Sequence, residues 1–93
     1  MNELITLIHE TTGTRRDVFC GLRSIGQQEF YKALAINYHP EIKFVLADYL
    51  EYNGETIVKY GAELYRVLRT YRTGQELEIV VVRASAEERE IYG

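Results

Sequence analysis

One stretch constrains this chain more than any other. From Glu63 to Arg83 two β-rich runs flank a short polar break that holds a single glycine, Gly74. Such a pattern is a hairpin signal. The break sets the register. A two-residue loop would put Thr73 at positive φ, which a β-branched side chain resists. A three-residue loop, Arg72-Thr73-Gly74, asks only Gly74 to enter the left-handed region, and it is the expected form. Tyr65, Val67 and Tyr71 then share a face with Leu77, Ile79 and Val81. The opposite face carries Arg66, Thr70, Glu76 and Glu78 near the turn, and Leu64, Val80 and Val82 further away. A strand pair that is apolar on one face and half apolar on the other is covered on both sides, by its own chain or by a neighbour.

The rest of the chain reads as short strands around this hairpin. Leu4 to His9 is an apolar strand and Thr11 to Thr14 a turn. Arg15 to Arg23 is a second strand with Val18, Cys20 and Leu22 on one face, and Gly21 marks a possible bulge in it. The period then changes. Ser24 and Gln27 fit a capping box, Phe30, Ala33 and Leu34 form an apolar stripe, and Asn37 and Pro40 end the segment. One short helix near residues 25–37 is therefore expected. Glu41 to Leu50 returns to strand, Tyr49 to Glu55 turns, and Thr56 to Tyr60 is a short strand. Gly61-Ala62 suits a two-residue loop with glycine first, pairing Val58 with Tyr65. The expected core is Val58, Tyr65, Val67, Ile79 and Val81. Ser85 to Glu88 either cap a last helical turn or lead into a solvated acidic tail.

Six strands, mostly hairpin-linked, with one inserted helix predict a small, mainly β antiparallel barrel, because closure protects strand edges. A sandwich is the alternative. Residues 1–86 form the expected single domain and residues 87–93 the expected acidic tail. With 93 residues the core is thin, since a domain of this size buries roughly 60–65% of its unfolded surface. The net charge of −3 gives no basic footprint for gripping nucleic acid. Eight tyrosines suit both strands and protein interfaces. The lone Cys20 leaves no internal disulfide and fits a reducing compartment. No apolar run reaches membrane-spanning length, and Met1-Asn2-Glu3 lacks a basic signal-peptide start, so a soluble protein made in the cytosol is expected.

Candidate chemistry is sparse. The glycines are scattered singly, so no phosphate-binding loop is formed. His9, His39 and Cys20 lack metal-ligand spacing, and a catalytic Cys–His pair among them competes with a buried structural thiol. Asp48 and Glu51 form a possible acid–base pair but read better as turn residues. Arg66, Arg69 and Arg72 recur every third residue, which splits them between the two faces of a strand. Cross-strand pairing with Glu76 and Glu78 is expected there. Tyr31, Tyr38, Tyr49 and Tyr52 offer stacking groups for single-stranded nucleic acid, though without an accompanying positive groove. These readings favour a binding or structural role over an enzyme.

Three segments, taken in order, carry a resemblance: Ser24 to Ala33, Ile42 to Leu50, and Val58 to Val67. Together the set resembles the head–tail joining (head-closure, or head–tail adaptor) proteins of long-tailed bacteriophages and prophages. Glu29, Phe30, Tyr31, Lys32 and Ala33 occupy the family's helix positions, and Tyr60, Gly61, Tyr65 and Val67 its hairpin positions. The likeness runs from about Arg16 to Arg83. It implies a β-barrel subunit that forms a homo-oligomeric ring below the portal, closes the DNA-filled head and offers the tail its attachment surface. It implies portal or adaptor and tail-completion proteins as partners, DNA passing through the channel without sequence-specific binding, and no membrane. It further implies a place in the virion after assembly in the host bacterial cytoplasm. Catalytic residues, cofactors and metals are not part of this expectation. The alternative is a small nucleic-acid-binding barrel.

Tyr31, Ile36 and Tyr38 are the expected protein interface, because Phe30 and Leu34 use the helix side that can dock on the barrel. Filling one barrel mouth is the competing role. Tyr31→Glu and Tyr38→Glu separate the two. An interface role predicts an unchanged melting temperature and heads that stay tailless, whereas a core role predicts a large drop in melting temperature.

Overall fold

Alternation of apolar and polar side chains produces strands here, and their short loops force neighbours to run antiparallel. The structure, a computed structural model, describes residues 3–23 and 40–93. It contains β1 (Glu3–Ile8), β2 (Arg15–Arg23), β3 (Pro40–Leu46), a 3-10 turn (Tyr49–Glu51), β4 (Ile57–Tyr60), β5 (Glu63–Thr73), β6 (Glu76–Arg83) and α1 (Ala86–Tyr92). The strands close into a mainly β antiparallel barrel in the order β1-β2-β3-β6-β5-β4. The expected helix near residues 25–37, with Tyr31, Ile36 and Tyr38, lies outside the described residues.

The barrel interior is packed solid. Ile5, Leu7, Val18, Cys20, Phe44, Leu46, Val58, Tyr65, Leu77, Ile79 and Val81 are buried together, and Val67 packs against them partly buried. Phe44 sits edge-on to Tyr60 and Tyr65, at centroid distances of 5.6 and 6.0 Å, a favoured aromatic geometry. On the opposite sheet face Leu64, Val80 and Val82 are buried too, so the long hairpin is covered on both sides. Gly21 carries no bulge. It is the point at which β2 leaves β1, whose last partner is Cys20, and takes up β3.

The hairpin departs from expectation in two linked ways. Its loop has two residues, Gly74-Gln75, because Thr73 pairs directly with Glu76. Gly74 leads the loop at a φ of 61°, matching Gly61 at 60° in the Gly61-Ala62 loop between β4 and β5. Thr73 thus stays in the strand and the positive φ falls on glycine alone, which removes the objection to a short loop. The second departure is a bulge between Val67 and Arg69. One extra residue reverses the faces of everything beyond it. Val67 still pairs with Val81, but Tyr71 pairs with Glu78 and is exposed, while Arg72 takes the place opposite Leu77.

The chain end is also corrected. Of the two expected forms it takes the helical one: Ala86–Tyr92 is a helix capped at Ser85, and residues 87–93 are not a loose acidic tail. The Ser85 side chain accepts from the Glu88 N–H, and the Glu88 carboxylate accepts from the Ser85 N–H at 3.0 Å. Tyr92 packs on Ile8, Ile57, Leu64 and Ala84 on the outer wall. That apolar patch explains why seven residues hold a helix that would be marginal alone.

Nothing lies within 4 Å of a Cβ added at Gly74, so its φ is the only objection to a side chain there. Gly74→Ala should therefore cost about 1 kcal/mol or more. Urea denaturation measures this, and an unchanged midpoint would show that the loop tolerates an L-residue.

Candidate interaction surfaces

Among the described residues, the chemistry-bearing side chains singled out in the sequence lie apart from one another. Cys20 is buried in the core, where burial, then the nearby Glu3 carboxylate, push its thiol up to about 11. A thiol so protonated is a poor nucleophile. Cys20 lies opposite Glu3, and His9 is six residues further along the same chain, which separates them by roughly 20 Å. His39 lies outside the described residues. Asp48 caps the 3-10 turn, accepting from the Leu50 N–H at 2.9 Å and from Gln75 Nε2 at 2.8 Å. The Glu51 carbonyl accepts from Arg16. No group of three His, Cys, Asp or Glu side chains able to hold a metal occurs among the described residues. None of their helices is long and apolar enough to cross a membrane.

Charge is used instead to tie the loops and α1 to the barrel. Glu55 is the one buried charged side chain among the described residues, 3% exposed. Burial alone would raise its carboxyl. The Arg16 guanidinium at 2.8 Å and the Asn53 N–H outweigh that and hold the pKa below the usual carboxylate value. Tyr52 donates its hydroxyl proton to the Glu55 carbonyl, and burial raises the Tyr52 pKa. A second knot joins Glu10, Arg66 and Glu88, linking the β1–β2 turn, β5 and α1. Hydrogen bonds from Thr56 and Arg66 lower the Glu10 carboxyl. Burial opposes the same direction at Glu88, where Arg66 and the Ser85 N–H prevail.

The expected pairing of Arg66, Arg69 and Arg72 with Glu76 and Glu78 is not what forms. Arg23 reaches Glu78 at 2.7 Å and Glu76 at 3.4 Å, and Lys43 reaches Glu78 at 3.5 Å. The acids of β6 are thus neutralised from β2 and β3. Arg66 turns to Glu10 and Glu88. Arg69 lies over the Tyr71 ring at 5.3 Å and Arg72 over the Tyr49 ring at 3.5 Å. The two-residue loop causes this: with Thr73 opposite Glu76, Arg72 falls opposite Leu77, on the face away from the β6 acids. Of the four candidate stacking tyrosines, Tyr49 is covered by Arg72 and Tyr52 is bound to Glu55, while Tyr31 and Tyr38 lie outside the described residues.

Among the described residues two unlike surfaces stand out on the barrel strands. On the outer wall of β1 and β2, Leu4 and Phe19 are directly paired and 49% and 62% exposed. They adjoin an open groove of about 610 Å³ lined by Leu4, Thr6, Arg15, Asp17, Lys59 and Gly61. Strand alternation could have placed this pair outside, but the sequence reading placed no role on it. Across the barrel, β5 and β6 run on as an arm whose residues Thr70 to Gln75 are exposed. In the strand order β1 and β2 stand three places from β6 and β5, so these surfaces belong to opposite walls. Compared with known proteins, no family model matches the chain, and no curated protein matches it at a significant level.

The electrostatic knots make acid stability predictable. The Glu55 pKa is lowered in the folded state, so its contribution is full above the unfolded value of about 4.3 and is lost as pH falls through the folded value. Glu55→Gln should lower the melting temperature at neutral pH and flatten its decline below about pH 4.3. Thermal melts across that range provide the check. A variant curve parallel to the parent's would remove Glu55 from the acid response.

Proposed function

We propose that this protein is a structural head–tail connector, a head-closure subunit that assembles as a ring below a phage or prophage portal. In this role it closes the DNA-filled capsid and offers the tail a surface. One observation carries the reading: the barrel exposes two different surfaces on opposite walls, the apolar Leu4–Phe19 pair and the polar β5–β6 arm. A ring grows by heterologous contacts, in which one surface of each copy meets a different surface of the next. A single self-complementary patch would give a closed dimer instead. An exposed apolar pair on a chain of net charge −3 suits burial by a partner. That net charge also suits a channel wall past which DNA slides without being held.

The nucleic-acid-binding alternative has less behind it. It rested on free tyrosines, and Tyr49 and Tyr52 are engaged within the chain.

Phe19→Glu tests the reading. Its side chain is already largely in water, so the isolated protein should melt within about 1–2 °C of the parent. Heads completed with the variant should fail to join tails and should leak DNA. Normal tail joining by Phe19→Glu would remove this wall from the interface.

A further inference from the structure

The barrel is closed, yet one strand outruns its neighbour. β4 pairs with β5 only from Glu63 to Arg66, and the Val67 N–H bonds to the Thr56 carbonyl just beyond. From Leu68 to Thr73, β5 is held by β6 alone among the described residues. Thr73 and Glu76 close a two-residue loop and so form a hydrogen-bonded pair. Alternation then turns the N–H and C=O groups of Thr70 and Arg72 away from β6, toward the open side. Thr70, Tyr71, Arg72 and Thr73 are exposed.

The same segment carries two cations with no carboxylate. Arg69 has only the Tyr71 ring, and its Nε and Nη2 are buried without an acceptor. Those two nitrogens are closed off from solvent, so Arg72, which is exposed, is the cation of this segment that a partner reaches. Arg72 stacks on Tyr49 and gives its Nε to the Gly74 carbonyl. Arg69 pairs with Val80 and Arg72 with Leu77, so they project from opposite faces of the strand.

We propose that the open edge of β5 from Thr70 to Thr73 is a docking site for an extended acidic segment of a partner protein, which adds a strand beside β5 and places a carboxylate on Arg72. An edge supplies both donors and acceptors, as a peptide backbone requires, whereas nucleic acid phosphates would use the donors alone. The exposed Arg72 gives such a strand a cation for its carboxylate, whichever face that side chain takes within an alternating acidic sequence. The net charge of −3 across the whole chain leaves an acidic strand little reason to bind elsewhere on it. This inference stands on the strand edge and does not require the connector reading.

The probe is the peptide acetyl-Val-Glu-Thr-Val-Glu-Val-amide, titrated into the isotope-labelled full chain and followed by amide chemical shifts. Shifts centred on Thr70 and Arg72 are expected. Arg72→Glu, at an exposed site, should weaken binding about tenfold or more. The same peptide N-methylated at alternate backbone positions keeps both charges but cannot pair, and it should weaken by a similar factor. An N-methylated peptide that binds as well as the parent would overturn the proposal. So would shifts centred on the Arg15–Lys59 groove, or no binding at all. A hexathymidine strand that binds as tightly as the peptide would make the arm a nucleic-acid site and overturn it equally.

Discussion

Closure of the barrel rests on a short seam. β1 meets β4 only from Thr6 to Ile8 against Ile57 to Lys59. If that seam opened, both strands would expose backbone groups and the core would reach water. The seam is braced at each end. Tyr60 donates to the Glu3 carboxylate at 2.7 Å beyond one end, and Thr56 bonds Glu10 beyond the other. α1 then lies over Ile8 and Ile57, the seam's outward apolar pair, and Arg15 holds the Tyr92 carbonyl at 3.1 Å. The helix α1 is thus a clamp on this join, which gives a physical reason for a helix after Ser85.

What could be read from the sequence was what alternation controls. Strand positions, the inward set of Val58, Tyr65, Ile79 and Val81, and the Gly61-Ala62 loop follow from local pattern and glycine chemistry. Barrel closure followed from strand number and the need to hide edges. The bulge at Leu68 was not legible, because one extra residue leaves no mark on composition and several residues near it tolerate either face. The shorter loop misplaced Tyr71 and the ion pairs together, and the bulge returned Val67 to the core face. Partners across the barrel, such as Arg23 with Glu78, depend on strand order and lie beyond any local rule. The capping box at Ser85 was visible, but whether it nucleates a helix depended on an apolar patch assembled from β1, β4 and β5.

The candidate surfaces were less legible than the fold. Leu4 and Phe19 look like ordinary strand residues, and only the β1–β2 register makes them neighbours on an outward face. Arg69 and Arg72 looked paired because Glu76 and Glu78 stand across the turn. The acids are instead taken by Arg23 and Lys43, which reach them from the other side of β6. A free cation on this chain is therefore a consequence of tertiary competition for carboxylates, something a linear reading of charge spacing does not contain.

A barrel of six strands has no room for a ligand once its side chains are in place. Here the inside is filled by Phe44, Leu46, Ile79 and their neighbours at near-zero exposure, and a packed interior resists insertion of new atoms. The loop from Ala47 to Thr56 adds to this, since Tyr49 and Tyr52 close over the core and Glu55 is locked under Arg16. The outer wall is uneven: α1 covers part of it, Arg23 and Lys43 neutralise the acids of β6, and the β1–β2 wall and the β5 edge remain open. Among the described residues these two open regions differ in chemistry, the one apolar and the other a strand edge beside Arg72.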